Sequence, residues 1–221
     1  MRPLAIAILL SAAFPAGAAR KLVDEVVAVV DARSITLSEL QAETRIRLIE
    51  AQGASVAFLP LDRKLLAASL RKTVEERVII AEVERLKLFD LDRAEVEALV
   101  ARVRVKFAKE TEWEAFTRFI ELTDDEIGQI VARELRVARY LDNRLKLAAQ
   151  IRESELAPLE SGKKLTAGER EALRQKLALE KYQRLLQDLL IDLRKRATVR
   201  VLDPLDPEPA SASGGKPGKA G

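Results

Sequence analysis

From Leu61 to Ala157 the chain contains no proline, and Gly128 is the only glycine. Proline stops a helix by removing an N–H and clashing with the preceding turn, and glycine weakens one through its backbone entropy. So long an interval without either predicts helices joined by short turns. The apolar residues agree, because they recur at helical spacing. Leu66, Leu70, Val74 and Val78 stand four apart, and Ile79, Val83 and Leu86 extend the stripe. Val96, Leu99, Val100, Val103 and Phe107 form a second stripe, and Ile127, Ile130, Val131, Leu135, Ala138, Leu141 and Leu145 a third. Beyond the interval, Leu173, Leu177, Leu185, Leu189 and Leu193 form a fourth.

The helix starts are marked as well. "TLSE" (Thr36–Glu39), "DRAE" (Asp92–Glu95) and "TDDE" (Thr123–Glu126) read as capping boxes flanked by apolar residues. In such a box the first side chain accepts from the backbone N–H three residues on, and the Glu reaches back. "TEWE" (Thr111–Glu114) and "TAGE" (Thr166–Glu169) carry the box without a full hydrophobic staple.

Two stretches break the helical pattern. Val26–Val30 is a short apolar run of strand character near the start, and Val199–Leu202 alternates with β-branched residues after the last helix. A strand needs a partner for its N–H and C=O groups. The economical solution pairs the two ends of the chain, with Ser34–Thr36 adding a third strand through a turn at Asp31–Ser34. The expected fold is mainly α: many helices, closed by a small β element that joins the N- and C-terminal strands.

Composition limits the chemistry. There is no Cys and no His. Thiol nucleophiles and disulfides are excluded, and the commonest general base and metal ligand are missing. No cofactor and no metal is expected, and no enzyme. Asp124 and Asp125 belong to a helix start rather than to a catalytic carboxylate pair. The 38 basic and 35 acidic residues are interleaved, as on solvated helix faces. Nucleic-acid binding asks instead for clustered Lys and Arg, and "RKR" at Arg194–Arg196 suits the negative end of a helix.

Residues 1–19, "MRPLAIAILLSAAFPAGAA", carry Arg2, an apolar stretch from Leu4 to Phe14 and small residues at Ala16–Ala19. That is the pattern of an export signal. Its apolar stretch is shorter than the ~20 residues of a membrane span, so no stable membrane insertion of the mature chain is expected. The expected location is the periplasm, which holds no ATP. Residues 20–203 should then form the helical domain. Residues 204–221, rich in Pro, Gly, Ser and Ala, should form a disordered tail.

The order of these features resembles the N-terminal chaperone module of SurA-type periplasmic folding factors. The resemblance runs over residues 22–203. It rests on "VDEVVAVVDARSITLSEL", "LRKTVEERVIIAEVERLKL", "DRAEVEALVARV", "EWEAFTRFIELTDDEIGQIVARELRVARYLDNRL" and the closing "LLQDLLIDLRKRATVRVLD". In that family a parvulin prolyl-isomerase domain usually lies between the long helix and the closing helix. Here Ile151–Glu171 is far too short to hold one, so the resemblance covers the chaperone module and not the isomerase. It implies an ATP-independent chaperone whose partners are unfolded polypeptide clients, such as nascent outer-membrane protein segments.

A chaperone of this kind needs an adaptable apolar groove with a polar rim. Val56, Phe58 and Leu59 lie in "GASVAFLPL", an apolar stretch with loop chemistry. Trp113, Phe116 and Ile120 stand at i, i+3, i+7 with Phe119 beside them. These seven residues are the candidate client contacts, and core packing is the competing reading of both stretches. Tyr140 and "GKK" (Gly162–Lys164) read as core and loop. A non-catalytic helical adaptor that binds one folded envelope partner is the alternative function, and a homodimer stays open.

Overall fold

The computed structural model describes residues 24–160, 165–203 and 205. Residues 1–19, the "GKK" stretch and all of the 204–221 tail except Leu205 lie outside the described residues, so the expectations for them stand outside the fold.

The strand β1 (Val26–Val30) is the middle of a three-stranded antiparallel sheet. On one side it pairs with β2 (Arg33–Thr36), and on the other with β3 (Val199–Val201). Ala28, Val29 and Val30 lie opposite Val201, Arg200 and Val199. The two ends of the chain therefore meet as expected. Asp31 locks the junction. It takes the left-handed conformation (φ 53°) that short polar residues tolerate in tight turns. Its N–H donates to the Thr198 carbonyl at 2.7 Å, and its carboxylate accepts from the Thr198 N–H at 2.8 Å.

Seven helices follow among the described residues: α1 (Leu37–Gln52), α2 (Arg63–Arg85), α3 (Arg93–Arg104), α4 (Glu110–Ile120), α5 (Asp124–Leu145), α6 (Glu153–Glu160) and α7 (Ala167–Arg196). Asp92, Thr123 and Thr166 form complete capping boxes with Glu95, Glu126 and Glu169. Thr36 caps α1 through the Glu39 N–H, but Glu39 does not reach back. Thr36 lies opposite Val26 in the sheet, and the Glu39 carboxylate is held by Arg77 at 2.6 Å instead. The Thr111–Glu114 box is absent. The helix starts earlier, at Glu110 after Lys109, because Phe107 tucks against Trp113 and Phe116 and draws the chain into helix before Thr111.

The core divides in two. One apolar cluster joins the sheet to α2, the second half of α5 and the end of α7, around Val27, Leu40, Val74, Ile80 and Tyr140. The other joins the end of α1 to α3, α4 and the first half of α5, and holds Phe107, Trp113 and Phe116. At Gly128, α5 packs closely on α3. A Cβ there would lie 2.8 Å from Val96 Cγ1 and 3.4 Å from Val100 Cγ2.

Some stripe positions shift, and Leu86, at the end of the first stripe, is exposed. Ala138 is exposed and Val137 takes its place in the core, since a stripe written at fixed spacing drifts around a 22-residue helix. Along α7 only Leu193 is fully buried, and the rest of its stripe is half-covered. Leu205, just after the closing strand, is buried against the sheet-side cluster.

Candidate functional site

The seven candidate residues separate into two groups. Trp113 (2% exposed) and Phe116 (0%) are core. They pack with Phe107 at centroid separations of 5.6 and 5.3 Å, and the Trp113 Nε1–H donates to Asp124 Oδ1 at 3.1 Å. Neither lines the cleft described below. Phe58 (50%), Leu59 (54%) and Phe119 (50%) are exposed, while Val56 and Ile120 are half-buried.

The exposed three are held in place. Gly53, at φ 88°, ends α1 and turns the chain into a 3-10 turn at Ala54–Val56. Ala57 is buried behind it. Arg45, on α1, reaches across to this loop and donates from Nη1 to the carbonyls of Ala57 at 2.9 Å and Leu59 at 2.7 Å. The same guanidinium lies over the Phe119 ring, 4.8 Å from its centroid, an attraction between a cation and the ring's negative face. Burial pulls the Arg45 pKa down from its ordinary value, though a guanidinium stays charged. Phe58 stands edge-on to Phe119 at 5.3 Å and to the buried Phe116 at 6.4 Å. The patch is thus the solvent edge of the aromatic core, and its shape is set from beneath.

A cleft of about 300 Å³ lies next to the patch, beginning at Ile120. Ala42, Ile120, Leu122 and Ile130 give it apolar walls, and Ser38, Glu39, Glu121, Glu126, Gln129 and Arg133 its polar ones. Ser38, Ala42 and Arg45 fall at i, i+4 and i+7, on one face of α1. Phe119 and Ile120 are neighbours at the end of α4. Patch and cleft therefore adjoin along α1 and the end of α4, and together they are taken as one groove between α1 and the turn joining α4 to α5.

Beneath the groove lies an ionic network, where the interleaved charges of the sequence suggested only solvated helix faces. Glu43, 1% exposed, accepts from Arg77 at 2.5 Å, Arg133 at 2.8 Å and Arg47 at 3.3 Å. Arg47 also binds Glu76 and Glu134, each at 2.6 Å. Burial lowers the Arg133 pKa, with Glu43 opposing it. For Arg47, burial acts downward but the carboxylates of Glu76, Glu134 and Glu43 together outweigh it. Along both α1 and α5 these charges fall between the two apolar clusters. One signal is present in the sequence: Glu39, Glu43 and Arg47 stand four apart, on the same side of α1 as buried Leu40 and Ile46.

Three of the remaining polar candidates have structural partners. Asp124 takes the Trp113 indole and Arg104, Arg194 pairs with Glu75, and Arg196 with Asp192 and Glu82. Among the described residues no helix is long and apolar enough to cross a membrane. Neither the comparison with protein-family models nor that with curated proteins finds a match for this chain.

Proposed function

We propose that this chain is an ATP-independent chaperone that holds unfolded polypeptide segments in the groove between α1 and the α4–α5 turn. The observation that carries the reading is the exposed apolar patch of Phe58, Leu59 and Phe119, braced by Arg45 and adjoining a cleft of mixed apolar and polar walls. Exposed apolar surface costs solubility, so a fold that braces it from below has a use for it. Two further points support the reading. The architecture, helices closed by a sheet made from both chain ends, is the one that the likeness to the SurA-type module implies. The N-terminal stretch has the composition of an export signal, and a compartment without ATP calls for a holdase of this kind.

The test is aggregation of several unrelated, chemically unfolded proteins diluted into buffer without nucleotide, followed by light scattering. Suppression in proportion to added chain is expected, and Phe58→Ser with Phe119→Ser should remove most of it while leaving the fold intact, since both rings are half exposed. No suppression, together with tight capture of one native envelope protein, sinks the chaperone reading in favour of an adaptor. A prolyl-isomerase assay should read as background.

A further inference from the structure

Given that the groove holds unfolded chains, as proposed, its charge bears on which chains it takes. The two ends of the groove differ. At the patch end the cation, Arg45, is already committed to two carbonyls and the Phe119 ring. At the cleft end three carboxylates, Glu39, Glu121 and Glu126, face a single guanidinium, Arg133, among the described residues. Glu39 is neutralised by Arg77 at 2.6 Å and Arg133 at 3.7 Å. Glu126 accepts only from the N–H and hydroxyl of Thr123, each at 2.8 Å, and those bonds hold its carboxyl below the ordinary glutamate pKa. Glu121 makes no side-chain hydrogen bond or ion pair among the described residues. Two negative charges thus stand at a cleft whose lining guanidinium, Arg133, is already engaged by Glu39 and Glu43.

Glu121 is also an unexpected residue for its position. It caps the C-terminal end of α4 in the left-handed conformation, φ 56° and ψ 34°. Glycine or asparagine usually fills that place, and a carboxylate there meets the negative end of the helix dipole.

We propose that the groove selects extended segments in which an aromatic residue lies close to a lysine or arginine. The aromatic ring packs on Phe58 and Phe119, and the cation pairs with Glu121 and Glu126. Charge complementarity at one end and apolar contact at the other fix the occupant's chemistry, since an acidic segment would meet two unpaired carboxylates.

The experiment uses the full-length protein and three labelled peptides of equal length. Each carries a pair of phenylalanines, and they differ only in whether the flanking polar positions are Lys, Gln or Glu. Fluorescence anisotropy at low salt is expected to rank them Lys, then Gln, then Glu, with up to about fivefold for each exposed ion pair gained. High salt should compress the ranking. Glu121→Lys leaves one positive and one negative charge at the cleft and should abolish the ranking, whereas Phe119→Ser should weaken all three alike. If the three bind equally and Glu121→Lys changes nothing, the selectivity proposal falls and the holdase reading survives. If none binds to the folded protein, the holdase reading falls with it.

Discussion

Glu43 shows how much one buried side chain can hold. Its carboxylate faces Arg77, Arg133 and Arg47, drawn from three helices. Replacing a buried ion pair by apolar groups can be neutral, but removing one partner leaves uncompensated charge. Glu43→Ala should therefore cost about 3–5 kcal/mol, measured by urea unfolding, whereas an exposed pair such as Arg93–Glu97 should be worth well under 1 kcal/mol. An unchanged midpoint for Glu43→Ala would show that water reaches the network. Trp113 supplies the probe, since it is the only tryptophan and is buried. Its emission should shift to the red in the same transition that reports loss of helix. At this scale the sequence is a poor guide to the site. Phe58 and Phe119 lie at the surface and Trp113 and Phe116 in the core, yet all four are aromatic residues in apolar stretches. Which ring ends up outside depends on what packs behind it.

Among the elements, caps and crossings do different work. Glu126 and Glu169 close capping boxes, and backbone hydrogen bonds from Thr123 and Thr166 hold both carboxyls below their ordinary pKa. A carboxyl depressed in the folded state adds stability above the unfolded value of about 4.3 and loses it as pH falls through the folded one. The melting temperature should drop on acidification from about pH 6 to about pH 3, and Glu126→Gln with Glu169→Gln should flatten that part of the drop. An equal slope in both proteins would show that the caps contribute nothing to it. At the α3–α5 crossing, Gly128→Ala gains helix propensity of up to about 1 kcal/mol but drives a methyl against Val96, whose branched side chain has few rotamers. Net destabilisation is expected, with Val96→Ala restoring the loss in a double-mutant cycle. The capping boxes are readable because their signal is local, four residues long. The Thr111–Glu114 box fails because the packing of Phe107 on Trp113 and Phe116 sets the helix start instead.

For the molecule as a whole, closure of the sheet matters most. β1 lies between strands from opposite ends of the sequence, so losing β3 leaves one edge of a buried strand without partners. Arg200 is exposed and lies opposite Val29, so Arg200→Pro alters the backbone and little else. It should lower the unfolding midpoint and speed amide exchange across β1. Exchange confined to residues 199–201 would mean that the helices hold together without the closing strand.

The sequence alone determined the helices, most of their first residues, the strand character of both ends and the absence of thiol and imidazole chemistry. Each of these depends on residue types or on spacings within a few positions. Tertiary packing decided which rings stay exposed, that Arg45 fixes the Ala57–Leu59 loop over Phe119, and that Glu43 and Arg47 turn inward. Those outcomes depend on residues far apart in the chain. A charged side chain is equally at home in water or beside a buried counter-charge, and only the approach of α2 and α5 to α1 decides between them.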